Sequence, residues 1–261
     1  MKFIRTGLYL VISVSLAVCA VLLFRTHLQY QGIVEDLSSW NSFFNVFGVI
    51  YAIVAGFLLI TVLNRYSALN QAIEDELNAI ESIRDFLVYF DDEQRDAKSS
   101  LTQALANYTR SLSTREWQEM SDSHNPMNSD TSEELYELMR KGKAIRITEG
   151  KDNIIFSALV ENISELTKLR TRRIALSNER LPTRLRILML FMSFVLAGAF
   201  ILLGVRGAFP HVIMLATLVF AIHLLYLVIE DLDHPFFGVW NINKTPLDEL
   251  AERFGEEFVT D

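Results

Sequence analysis

The chain has 261 residues and a single cysteine, which excludes an internal disulfide, a Cys-x-x-Cys redox pair and a multi-cysteine zinc site. Its hydrophobic share is 51% and its net charge −8, and a mean hydropathy of +0.24 averages apolar blocks near both ends with a charged middle. That segregation excludes an ordinary globular protein, and the absence of G-x-x-x-x-G-K-[ST], H-E-x-x-H and G-x-S-x-G leaves no reason to expect an enzyme, a cofactor or a metal site.

Residues 8–24, 43–63, 187–205 and 209–229 form four runs without Asp, Glu, Lys or Arg. Each is long enough to cross the hydrocarbon layer at about 1.5 Å per residue, and none shows the alternation of a barrel strand, so helices are predicted. The expected fold is an all-α integral membrane protein with four transmembrane helices in two hairpins, 1–64 and 187–229. A helical cytoplasmic domain, 65–186, is inserted between the second and third, and an acidic turn with an amphipathic helix, 230–261, closes the chain.

Lys2 and Arg5 precede the first run as in a signal peptide. Val18 is too large for the lipoprotein-box position it would hold, and apolar residues continue to Phe24, so a retained anchor is expected, with Cys19 a small apolar residue in it. In the second run Gly48, Ala52 and Gly56 are four apart and make a flat strip, suited to close helix packing or to the wall of a narrow pore.

No Gly or Pro occurs from 57 to 125, so the second helix is expected to continue as a stalk with Ile73, Leu77, Ile80, Ile83, Leu87 and Phe90 on one face. A second amphipathic helix follows through Leu101, Leu105, Tyr108, Leu112 and Trp117, then an exposed loop over 121–130. A short helix over 133–146 and a longer one from Asp152, with Ile155, Leu159, Ile163, Leu166 and Leu169, complete the middle.

Arg170, Arg172, Arg173, Arg184 and Arg186 crowd the approach to the third span, with Lys168 and Arg180. By the bias of basic residues this side is cytoplasmic, both termini included, and the arginines set topology and meet lipid headgroups. Acidic and basic side chains nearly balance over 65–186, so nucleic acid is not expected as a partner. Pro182 is expected in the first turn of the third span, setting the angle at which the chain enters the membrane.

On the fourth helix His223, Tyr226 and Glu230 share a face leading to its cytoplasmic end, either a polar pathway or a histidine hydrogen-bonded to a neighbouring helix. Beyond it Asp231, Asp233 and His234 either hold a cation or simply terminate the helix. Thr245, Pro246 and Asp248 then read as N-cap, first-turn proline and capping-box acid of a last helix with Leu247, Leu250, Phe254 and Phe258 on one face.

The stretch EDLDHPFFGVWNINKTPLDEL resembles the acidic, Asp-Pro-Phe-Gly-bearing segment that follows the last transmembrane helix of bestrophins. With YAIVAGFLLITVLNRYSALNQAIEDELNAI in the second helix and Leu-Pro before the third, nearly the whole chain is similar to the bestrophin-like family of bacterial membrane proteins. By position the resemblance singles out Asp231, Asp233, Pro235, Phe236 and Gly238 in the turn, with Gly48, Ala52 and Gly56 on the pore-side helix. The consecutive acids that bind calcium in animal bestrophins are absent. The resemblance implies a homo-oligomer, a pentamer in true bestrophins, in the bacterial inner membrane. It further implies an ion channel or channel-like assembly, the alternative being a non-conducting scaffold or sensor that binds a partner through its cytoplasmic helices.

Overall fold

The computed structural model describes residues 2–27, 37–90, 94–121, 132–145, 150–203, 205, 207–236 and 239–257, and every element among them is helical. The chain divides into two compact units, Met1–Tyr66 with Arg180–Asn241, and Ser67–Glu179 with Ile242–Asp261.

The first unit holds α1 (Lys2–His27), the beginning of α2 (Leu37–Leu87), α7 (Thr183–Leu202) and α8 (Ala208–Asp233). Four helical stretches are long and apolar enough to cross a membrane, and their polarity is arranged for lipid. Phe194 and Phe209 are 79% and 77% exposed, while the interior is a narrow seam of Tyr51, Ala55, Leu58 and Val62 from α2, Met189, Met192 and Leu196 from α7, and Ile229 and Leu232 from α8. α1 lies along α8 and touches α7.

The α7–α8 connection turns at Gly207, whose φ of +93° lies in the region an L side chain avoids. An added Cβ there would also stand 3.3 Å from the Pro210 ring. Arg25 Nη1 ties the end of α1 to this turn, donating to the Val205 carbonyl at 3.2 Å and lying 3.2 Å from Nδ1 of the buried His211. His211 Nε2 is 3.1 Å from the Phe200 carbonyl, so the network assigns the proton to Nε2 and leaves Nδ1 to accept from Arg25.

The second unit is built from the rest of α2 with α3 (Arg95–Ser111), a π-helical turn (Leu112–Glu116), α4 (Trp117–Ser121), α5 (Glu133–Gly142), α6 (Gly150–Asn178) and α9 (Thr245–Glu257). Its core joins Ile80, Ile83 and Leu87 to Leu101, Leu105 and Leu112, Leu135 and Leu138, Leu159 and Leu166, and Leu247, Leu250 and Phe254. Ser132 caps α5, its hydroxyl accepting from Leu135 N at 3.3 Å.

Several boundaries differ from the sequence expectation. α2 stops at Leu87 without Gly or Pro, in a turn of i→i+3 bonds such as Phe90 N to Leu87 O at 3.4 Å, and Phe90 still reaches the core. Pro182 stands one position before α7, its carbonyl accepting from Leu185 N at 2.9 Å and Arg186 N at 3.3 Å. Thr245 is the first residue of α9 and not its cap: the Lys244 carbonyl accepts from Leu247 N at 3.0 Å and Asp248 N at 3.1 Å. The Asp248 carboxylate turns to Lys244 Nζ at 2.9 Å and the Ser113 hydroxyl at 2.7 Å. Most of the expected loop over 121–130, Gly238 and Phe258 lie outside the described residues.

Candidate functional site

The inward side of α2 in the first unit is Tyr51, Ala55, Leu58 and Val62, and the strip of Gly48, Ala52 and Gly56 lies round the helix from it. Ala52 is exposed, and a Cβ built on Gly48 or Gly56 would meet nothing within 4 Å. Among the described residues the strip therefore packs on no other helix of its own unit, and Val49, Ile53 and Ile60 beside it are exposed too. Sequence reading passed over one polar contact within the spans: the Ser193 hydroxyl of α7 donates to Tyr51 Oη at 3.2 Å.

On α8 the His223 and Tyr226 rings are neighbours, with centroids 6.5 Å apart. His223 Nε2 is shielded from solvent without a hydrogen-bond partner among the described residues. Glu230, one turn further along α8, is ion-paired with Arg186, whose Nε lies 3.1 Å from it.

The post-helix turn is a lattice of directed hydrogen bonds. Asp231 accepts from Val239 N at 2.7 and 2.9 Å and from Trp240 N at 2.8 Å, which folds the chain back after α8. Asp233, 4% exposed, accepts from Leu181 N at 2.7 Å and Arg186 Nη2 at 2.8 Å, with Arg65 Nη1 at 3.9 Å. His234 Nδ1 lies 3.0 Å from the Glu230 carbonyl. Pro235 is buried and Phe236 half-buried beside them. Asp231 and Asp233 point to separate partners, and among the described residues no cluster of three metal-ligating side chains exists. The turn thus terminates α8 and fastens it to the start of α7.

The arginine cluster requires the largest correction. Arg170 and Arg173 are 3% and 0% exposed and reach no headgroup, because both are enclosed in the second unit with two equally buried acids. Arg173 Nε donates to Glu76 Oε2 at 2.5 Å, its Nη2 to Glu116 Oε2 at 2.6 Å, and its Nη1 to the Met120 sulfur at 2.8 Å. Arg170 donates through Nε and Nη2 to Glu116 Oε1 at 3.0 and 2.9 Å, and the Tyr108 hydroxyl donates to Glu76. Two guanidinium groups thus balance two carboxylates, as burial demands. Burial works against the Arg173 charge, but Glu76 and Glu116 more than offset it and raise its pKa, while burial and then Glu76 push the Tyr108 hydroxyl far up. Arg172 is exposed, 3.8 Å from Asp75, and Arg184 is exposed.

Residues 9–247 match the family described as Bestrophin-like domain. In fold the chain is similar to variants of a bacterial bestrophin homologue from Klebsiella pneumoniae. One has a TM-score of 0.76 at 14% identity, covering 98% of this chain and 100% of that one. A second has a TM-score of 0.74 at 14% identity over the full length of both, and a third 0.72 at 15% over 98% of each. No curated protein matches. The family match spans nearly the whole chain and its apolar helices are those of a membrane protein: the chain belongs to the bestrophin-like family.

Proposed function

We propose that the chain is the subunit of an ion channel or channel-like homo-oligomer, in which α2 faces a central axis. The observation that carries this reading is the open strip of Gly48, Ala52 and Gly56, a span surface that its own unit leaves without a packing partner. Small residues there leave room for water or ions if copies of α2 ring an axis, and flatness suits close approach of a neighbouring subunit. Family membership and the bestrophin fold support the same assembly.

In this reading the four apolar helices cross a bacterial inner membrane as two hairpins, the second unit and both termini are cytoplasmic, and the ring is a pentamer. His223 with Tyr226 is the polar contribution of α8 within the membrane, and Arg172 and Arg184 are the basic groups left to meet headgroups.

Ion flux into vesicles containing the purified protein tests it. Gly48→Phe should reduce flux to background while leaving the amount of folded protein unchanged, since a Cβ there meets nothing within 4 Å and the ring has room to extend away from its own unit. Flux that persists undiminished would place the path elsewhere. A second reading, a scaffold or sensor, draws on the exposed Val88, Tyr89 and Ile154 of the second unit, at 71%, 66% and 74%, and would be favoured by protein that binds a partner but passes no ions.

A further inference from the structure

The π-helical turn Leu112–Glu116 sits where α3 passes into α4, with Trp117 N bonded to the Leu112 carbonyl across an i→i+5 span. Such a turn takes up about one residue more than α-helix, so the segment after it is rotated by roughly 100° relative to an uninterrupted helix. A π turn is rare because its geometry is poor, and it persists where contacts made only in that register offset the cost.

Ser113, Glu116 and Met120 are 6%, 1% and 2% exposed. They meet, respectively, Asp248 of α9, the Arg170–Arg173 pair, and Arg173 alone. If the turn relaxed to α-helix, each place after it would be taken by the residue one earlier in the chain. Arg115, now exposed and paired with Glu134 at 2.8 Å, would turn toward Arg170 and Arg173, and Glu119, now exposed, would take the place of Met120 beside Arg173.

We propose that this turn is a two-register element of the second unit, held in its π register by Glu116 on Arg170 and Arg173, with an α register in which Glu119 replaces Met120 against Arg173. The charges decide between the registers. The observed one matches two acids to two arginines, whereas the other brings a third arginine to the pair and exposes Met120. This holds whether or not the protein conducts.

Hydroxyl-radical footprinting of the full chain in detergent tests it, with methionine sulfoxide measured at Met120, at Met139 of α5 and at Met189 of the first unit. Glu116→Gln, which keeps shape but removes charge, should raise oxidation of Met120 several-fold while Met139 and Met189 stay as in the parent. Arg115→Gln, which gives up the pair with Glu134 without adding a like charge beside it, should do the same, because it removes the repulsion that disfavours the α register. Met120 protected as in the parent in both variants would overturn the proposal. So would a joint rise at Met120 and Met139, which would mean that the charges merely hold the core closed.

Discussion

Arg173 has no route to water, so its guanidinium is tolerated only because Glu76 and Glu116 meet it directly. Removing one acid leaves a buried positive charge without its counter-ion, and Glu76→Ala should cost about 3–5 kcal/mol in a denaturant titration of the full chain. A loss under about 1 kcal/mol, the worth of an exposed pair, would contradict the burial described here. The network was legible in the sequence, though as a pattern of places more than of residue types. On α6 the buried face runs Leu159, Ile163, Leu166, Arg170, Arg173 and Ser177, and on α2 it runs Ile73, Glu76, Ile80, Ile83 and Leu87. Charges that keep an apolar stripe's spacing are inside, whereas counting arginines near a span sends them to headgroups. A weaker electrostatic effect belongs to Asp248: burial would raise its pKa, but hydrogen bonds from Ser113 and Lys244 hold it below the ordinary value. A lowered carboxylate stabilises docking of α9 at neutral pH, and that contribution fades as pH falls through the ordinary value to the lowered one. Protease protection of α9 should therefore decline at acid pH, and Asp248→Asn should be less protected at pH 7 and lack that part of the decline.

At the scale of elements, charge-free apolar runs marked the helices of the first unit and periodicity those of the second, because a buried stripe must recur at 3.6 residues whatever lies against it. It did not locate what changes phase or ends a helix without Gly or Pro. The stop of α2 at Leu87 is a turn of ordinary residues, and the π turn hides in the five-residue step from Leu112 to Trp117, longer than an α-helix allows between neighbours on a stripe. The extra residue can be removed: Thr114 is exposed and its hydroxyl makes a local bond, to the Arg110 carbonyl at 2.7 Å. Deleting it should leave Ser113, Glu116 and Met120 with their partners on a continuous helix, and raise Tm by roughly 2–4 °C, the shift that 1 kcal/mol produces in a chain of this size. A fall in Tm would mean that the π turn supplies something α-helix cannot. Caps also slipped by one place, as at Lys244 and Pro182, since which carbonyl opens a helix depends on the incoming chain as much as on residue type.

For the whole molecule, the feature that matters is surface left unfilled. The spans bury a thin seam and expose large apolar side chains, which lipid solvates, but lipid gives no reason for Gly48, Ala52 and Gly56 to line one side of α2. Sequence alone marked these residues and could not say whether they met another helix of the same chain; the open space over both glycines answers that within the first unit and directs attention to a second copy. His223 was equally visible in the sequence, while the absence of a hydrogen-bond partner for its Nε2 among the described residues required the neighbouring helices to be in place. A pore between subunits needs closed rotational symmetry, because an open or two-fold arrangement encloses no axis that ions can follow. Native mass spectrometry of the detergent-solubilised protein measures this directly. The account predicts a single closed ring with the mass of a pentamer, and a monomer or dimer as the largest species would contradict it.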